Sequence, residues 1–269
     1  MSTAATAAPR RWRKPPFIEN PVKRWSIYIG AAVYLAVAVS SIEVKWQRVW
    51  DGVPRGIEFV LAFFTPDFVS RWEDIFEGFM ESLAITGAST VFGLLISIPI
   101  GLGAARNISP LPVYLVCRSI IALSRAFQEI IVAILFVAMF GFGPFAGVMT
   151  LSFATIGFIA KLLAEDIEDI SQEQVEAIRA TGSSWLQLMN YGVQPQVAPR
   201  LVGLSMYRLD INFRESAIIG IVGAGGIGAT LNTAFDRYEF NSAAAILLII
   251  ILIVMGAEYA SGYVRRLLV

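Results

Sequence analysis

The sequence contains no histidine, a single cysteine and few charged residues. Without histidine there is no Ser-His or Cys-His nucleophile pair, no His-ligated zinc and no histidine proton relay. The single cysteine, Cys117, excludes an internal disulfide and any metal site built from several cysteines. These absences argue against several classes of membrane enzyme, whereas a transporter or channel subunit needs none of this chemistry.

The composition is that of a membrane protein. Charged residues make up 16% of the chain and hydrophobic residues 56%, with a mean hydropathy of +0.65. Soluble domains usually carry about 25% charged residues. The 21 basic and 21 acidic residues balance, so the chain has no overall basic footprint and we expect no nucleic-acid partner.

Apolar segments predict an all-α polytopic membrane protein with about six transmembrane helices. A basic tail, residues 1–24, is rich in Ala, Thr and Pro and is predicted to be partly disordered. The first span covers residues 25–42, and residues 43–81 form an extracytoplasmic amphipathic segment. The other five spans are predicted at residues 82–105, 113–140, 145–163, 200–221 and 240–260.

Basic residues predict the orientation of these spans. The N-terminal tail is basic, Arg106 follows the second span, and Arg265 and Arg266 follow the last one. Basic residues concentrate on the cytoplasmic side of a membrane. We therefore expect a multi-pass protein of the cytoplasmic (inner) membrane with both termini in the cytoplasm, where the polar loop 164–198 also lies.

A polar stretch, residues 176–195, reads EAIRATGSSWLQLMNYGVQP and is flanked by apolar sequence. Ser171 followed by Gln174, and Ser184 followed by Gln187, fit capping boxes at two helix starts. Gly182 lies between them, where a helix end favours a residue that tolerates positive φ. The pattern predicts two short helices joined by a tight glycine turn outside the membrane.

This helix pair has three possible roles. It could dock on a partner, because Ala177 and Gly182 would let another backbone approach closely and apolar side chains lie nearby. It could equally be an ordinary loop with two helical turns. A DNA-reading helix-turn-helix is disfavoured, because Arg179 is its only basic residue. The apolar side chains in question are Val175, Ile178, Leu186 and Met189.

Two predicted spans carry ionisable and amide side chains. A charge at the bilayer centre costs at least ~2.5–3.5 kcal/mol, so such groups normally face a cavity or a partner. Helical spacing would put Arg125 and Glu129 on one face, and Asp210 and Arg214 on another. They could be internal ion pairs that pin the bundle, or the lining of an anion path in which Arg125 and Arg214 contact phosphate-type oxygens. The candidate path residues are Arg125, Gln128, Glu129, Asn212, Arg214 and Glu215, with Arg208 on the face of Asn212 and Glu215.

A glycine-rich segment follows the fifth span and matches G-x-G-x-x-G. No parallel βαβ pattern surrounds it and no acidic residue lies about 20 residues further on, so dinucleotide binding is disfavoured. We expect a close-packed gate or re-entrant turn at the outer membrane face, which requires cover by protein or water. Its glycines are Gly223, Gly225, Gly226 and Gly228.

Glu176, Ala177 and Gly182 resemble the EAA loop of ABC importer permeases. The second alanine of that pattern is Ile178 here, and only Pro195 remains of its I-x-L-P ending. The resemblance implies a coupling helix that docks in a groove of a cytoplasmic ATPase. The coupling residues would be Glu176, Ala177, Arg179, Gly182 and Ser183.

A longer motif, DINFRESAIIGIVGAGGIGATL at residues 210–231, resembles the permease subunit of phosphonate importers. Residues 80–266 are similar to the core of type I, methionine-importer-like permeases, with one extra N-terminal span. The permease core is placed at residues 82–266.

The resemblance implies an assembly as well as a fold. Two copies of this chain would form a homodimer with a cytoplasmic ABC ATPase dimer and an extracytoplasmic phosphonate-binding protein. ATP and Mg would bind the ATPase, and this chain would bind no cofactor and catalyse no reaction. The alternatives are a membrane scaffold without a transport path and a permease for a different small solute.

Overall fold

The computed structural model describes residues 18, 20–42 and 45–268, with backbone alone for residues 260–261 and 263–268. Most of the basic tail predicted at residues 1–24 lies outside the described residues. The chain divides into two compact units, residues 1–55 and 56–269, which are described separately. Every regular element in the described ranges is helical.

The first unit contains helix α1, Pro21–Ser40. The helix begins at Asn20, whose side-chain oxygen accepts hydrogen bonds from the backbone N–H groups of Val22 and Lys23 at 3.0 and 3.5 Å. Its apolar side chains are exposed, as expected for a helix in contact with lipid. A second helix, α2, Trp46–Ala62, continues into the second unit and separates polar from apolar side chains.

The second unit is a bundle of long helices with short helices at both ends. Two short connections, residues 105–110 and 141–143, and a single turn of π-helix, Met189–Val193, interrupt the longer elements. The helices are α3 (Trp72–Ala104), α4 (Leu111–Ala126), α5 (Glu129–Phe140), α6 (Pro144–Glu168), α7 (Gln172–Ala180), α8 (Trp185–Leu188), α9 (Gln194–Gly220), α10 (Ile227–Asp236) and α11 (Phe240–Leu268).

Helices α3 and α6 run parallel, and α9 runs antiparallel to both. Gly93 of α3 packs against Thr155, and Gly101 packs against Leu163. The start of α9 contacts the C-terminal end of α6, where Arg200 lies 2.9 Å from Asp166. We call this the loop end, where α7 and α8 also lie. We call the opposite end, with residues 221–226 and α10, the glycine end.

Among the described residues, four helices are long and apolar enough to cross a membrane: α1, α3, α6 and α11. Helices α4 and α5 pass the same test only together, which gives up to five spans. Helix α9 has 27 residues, but it carries five charged side chains along its length, Arg200, Arg208, Asp210, Arg214 and Glu215. The all-α polytopic membrane fold is confirmed, whereas the count of six spans stays a prediction because it depends on α9.

The predicted third span, residues 113–140, is broken. Helix α4 ends at Ala126 and α5 begins at Glu129, with the two helices at 94° to each other. Phe127 and Gln128 have extended backbone, with ψ of 138° and 142°. The expectation that Arg125 and Glu129 share one helix face is therefore wrong, because i,i+4 spacing places residues together only in a continuous helix. The helix that contains the second predicted span begins at Trp72, ten residues before that span.

Candidate functional site

The break between α4 and α5 borders a cavity of about 420 Å³. Three of the predicted path residues, Arg125, Gln128 and Glu129, line it. Arg208 of α9 lines it too, whereas Arg214 does not border it. The cavity at the break is therefore lined by two guanidinium groups, one carboxylate and one side-chain amide.

Contacts with α6 hold the broken segment in place. The Ser124 hydroxyl donates a hydrogen bond to the Phe153 carbonyl at 2.6 Å. Gly157 lets α4 approach, because any side chain there would collide with Ser124. Glu129 is the first residue of α5, where a carboxylate is favoured by the helix dipole.

Arg208 is the most deeply buried charge at this cavity, with a side chain only 4% exposed. Its Nε donates to the Thr155 hydroxyl at 3.1 Å, and its Nη2 donates to Glu215 at 3.3 Å. The guanidinium also lies 5.6 Å from the ring centre of Phe158, within the range of a cation–π contact. Arg208 thus connects the cavity to the polar interior of the bundle.

Asn212 lies in the core of the bundle. Its side chain is fully buried, and its amide donates to Thr90 at 2.8 Å and Thr155 at 3.1 Å. Asn212 therefore ties α9 to α3 and α6 at once. Both threonine hydroxyls also donate to backbone carbonyls of their own helices, those of Thr86 and Leu151.

Arg214 and Asp210 form the ion pair expected from their spacing, at 3.3 Å. The Arg214 side chain is 52% exposed, whereas that of Asp210 is 10% exposed. Arg208, on the same helix, both pairs with Glu215 and lines the cavity. Ion pairing and the lining of a cavity therefore occur together on α9, so the two interpretations of these charges are not exclusive.

The predicted coupling residues lie in an exposed turn at the loop end. Gly182 has φ of +78°, and its N–H donates to the Arg179 carbonyl at 3.0 Å. The Ser183 hydroxyl donates to the Ile178 carbonyl at 3.0 Å, which closes the turn. Glu176, Ala177 and Arg179 of α7 are exposed. The five residues thus lie at the end of α7 and in the turn that follows it, four of them exposed and Ser183 partly buried.

Only one of the two predicted capping boxes is present. The Gln187 side chain accepts from the N–H of Ser184 at 2.8 Å. Ser171 precedes α7 but makes no side-chain cap, and its N–H donates instead to the Gln196 side chain of α9 at 2.9 Å. This contact helps to fasten the start of α7 to α9.

The apolar face of the helix pair mostly points inward. Val175 and Met189 are buried in a core shared with the ends of α3 and α6, so they are not available to a partner. Leu186 remains exposed, together with two aromatic residues that were not among the predicted contact residues, Trp185 and Tyr191. The occurrence of two aromatic residues in an otherwise polar stretch could have indicated an exposed contact surface there.

The glycine segment is a tight turn that leads into α10. Gly223, Gly225 and Gly226 have φ of +92°, +80° and +77°. The Gly226 N–H donates to the Glu81 carboxylate at 2.8 Å, so α3 holds the turn. Gly228 lies against the Ala217 carbonyl of α9 and leaves no room for a side chain. The predicted close packing is present in the structure.

Residues 97–267 match the family described as "Binding-protein-dependent transport system inner membrane component". This match covers more than half of the chain. The chain belongs to this family. It is an inner-membrane permease component of an ABC importer and not itself an enzyme, because ATP hydrolysis resides in a separate subunit.

Curated relatives match over most of the chain. A "Putative phosphite transport system permease protein HtxC" of Stutzerimonas stutzeri is 38% identical over 235 residues, which cover 87% of this chain and 83% of that protein. A "Phosphate-import permease protein PhnE" of Mycolicibacterium smegmatis is 42% identical over 205 residues, which cover 76% of this chain but only 38% of that longer protein.

Solved structures agree with the fold. The permease chain in an inward-facing structure of the MetNI methionine ABC transporter superposes with a TM-score of 0.64 at 25% identity. The match covers 72% of this chain and 96% of that one. The resemblance of the sequence to type I, methionine-importer-like permeases is thus confirmed at the level of the fold.

Proposed function

We propose that this chain is the transmembrane subunit of an ATP-driven importer for phosphonates or related small phosphorus oxyanions. The observation that carries the proposal is the 38% identity to a phosphite permease, which extends over 87% of this chain. The two arginines at the α4–α5 break, Arg208 buried and Arg125 exposed, agree with an anionic substrate, because guanidinium groups suit phosphate-type oxygens.

The exposed polar groups favour a path between two copies of this chain. Arg125, Gln128 and Arg214 are exposed although they lie in the bundle of spans. Contact with lipid would cost each charge at least ~2.5–3.5 kcal/mol. A homodimer that encloses a water-filled path along this surface removes that cost. Pairing with a different permease subunit would cover the same surface, and the mass of the purified complex distinguishes the two assemblies.

Coupling is proposed at the turn around Gly182. Closure of the two ATPases on ATP would move α7, which rests on the ends of α3 and α6 through Val175 and is connected to α9 through α8 and the π-helical turn. The movement would then open the dimer towards the extracytoplasmic binding protein. In this scheme Glu176, Ala177, Arg179, Gly182 and Ser183 contact the ATPase, and the glycine end lies on the side of the binding protein.

Uptake into proteoliposomes tests the function. The chain is reconstituted with its ATPase and binding protein in proteoliposomes, and uptake of labelled phosphite, methylphosphonate and methionine is measured. Each measurement is made with and without ATP on the side of the membrane that carries the ATPase. We expect ATP-dependent uptake of a phosphorus oxyanion that also requires the binding protein. Uptake of methionine but of no phosphorus compound would show a permease for a different solute, and no uptake of either would favour the scaffold.

A further inference from the structure

We propose that Arg208 is the residue that binds the transported oxyanion within the membrane, and that Glu215 occupies its guanidinium when no substrate is present. The inference rests on the proposed function and specifies the site within it. It replaces Arg214, the arginine of α9 favoured by sequence, with an arginine that borders the cavity at the α4–α5 break. The substrate and the Glu215 carboxylate thus bind the Arg208 guanidinium in turn.

The hydrogen bonds of Arg208 leave it able to bind a ligand. An arginine has five N–H donors in a planar fork. Within the described part of the chain, Arg208 uses one donor on Thr155 and one on Glu215. A tetrahedral oxyanion that accepts two parallel N–H bonds would satisfy more of these donors than Glu215 does.

The contact between Arg208 and Glu215 is longer than the tightest ion pair of the described residues and similar to several others, which lie 3.3–3.5 Å apart. Arg208 and Glu215 are 3.3 Å apart, whereas Arg71 and Glu239 are 2.6 Å apart. Charge-assisted N–H···O bonds are usually about 2.7–2.9 Å long. The short pair lies at the glycine end, where it fixes α3 beside α11. The long pair lies at the cavity, where a weak bond is the more easily exchanged.

The rest of the cavity suits a small anion. Arg125 borders it and forms no ion pair in the described ranges, so a second guanidinium is available. The volume of about 420 Å³ lies within the range of about 300–1,000 Å³ typical of small-molecule sites. Glu129 also borders the cavity and would repel the anion. Its charge favours release over tight retention, which a transporter requires.

The test uses a neutral version of the pair in the complete transporter. The double variant Arg208→Gln with Glu215→Gln removes both charges of the pair, so neither partner is left as an unpaired ion. A matched control, Lys161→Gln with Glu165→Gln, removes an ion pair of α6 that lies 3.4 Å apart and away from the cavity. ATP-driven phosphite uptake is measured in proteoliposomes that contain the ATPase and the binding protein, and assembly is measured by gel filtration.

We expect the control to transport like the wild type and the double variant to assemble normally but lose uptake by about tenfold or more, as expected for lost hydrogen bonds to a charged ligand. If the double variant assembles and keeps about half of wild-type uptake or more, the ion pair is structural and the inference is wrong. If wild-type complex takes up no phosphorus oxyanion, the proposed function itself fails.

Two single variants decide the matter if the double variant does not assemble. Arg208→Lys keeps the charge that pairs with Glu215 but loses the fork. A structural pair predicts near-normal uptake for this variant, whereas an oxyanion site predicts a loss of about tenfold or more. Glu215→Gln removes the competitor, so titration of the permease–ATPase complex with phosphite alone should show tighter binding than wild type. Unchanged or weaker binding would refute the exchange.

Discussion

Gly182 provides a graded test of coupling, because its replacement changes backbone energy without a clash. Its φ is +78°, and a Cβ built there would meet no atom within 4 Å. An L-residue in this region costs about 1–2 kcal/mol, which corresponds to about a 5–30-fold smaller population of the turn. Asparagine tolerates positive φ better, and β-branched valine tolerates it worse.

We therefore expect uptake and binding-protein-stimulated ATP hydrolysis to fall in the order Gly, Asn, Ala, Val at position 182. Gly203→Ala is the matched control: this glycine also has open space around it, but it lies in α9 with ordinary helical φ. The control should behave like the wild type. The assay compares both activities in reconstituted complexes of equal ATPase content. Full coupling in Gly182→Val would refute the assignment of this turn to the ATPase interface.

Two further substitutions test the packing that supports the path. Asn212→Leu removes two buried hydrogen bonds, so we expect the free energy of unfolding to fall by about 1–3 kcal/mol. The thermal midpoint in detergent should fall with it, and an unchanged midpoint would show that these bonds contribute little. Gly228→Ala pushes a methyl group into the Ala217 carbonyl, and overpacking of this kind costs about 1–3 kcal/mol or more. The control is Gly87→Ala, because the new methyl group there has open space around it. Equal thermal midpoints for the two variants would contradict the close approach of α10 to α9.

The helices at the loop end illustrate what sequence could predict. Gly182 lies between two capping signals, and the structure has a positive-φ turn there. The direction in which α7 packs was not predictable, because a short amphipathic helix shows that it has an apolar face but not which neighbour covers it. The sequence pattern left Val175 available for a partner. In the structure, the ends of α3 and α6 cover it.

The α4–α5 break illustrates what sequence could not predict. Neither glycine nor proline occurs between Ser124 and Glu129, so no local signal marks the interruption. Its supports come from distant parts of the chain, namely the Phe153 carbonyl and the close approach at Gly157. The position of Arg208 at the cavity was equally unpredictable from the sequence. Its spacing from Glu215 fitted an ion pair, but its position at the cavity depends on the break.

The central claim, that this chain transmits ATPase closure across the membrane to a binding-protein side, is tested most directly by site-specific crosslinking in the assembled transporter. A photoreactive side chain is placed at Arg179, in the exposed turn of the loop end, and in a second variant at Arg237, next to α10 at the glycine end. The account predicts an adduct with the ATPase from position 179 alone and an adduct with the binding protein from position 237 alone. An ATPase adduct from position 237, or none from position 179 in a transporting complex, would contradict it.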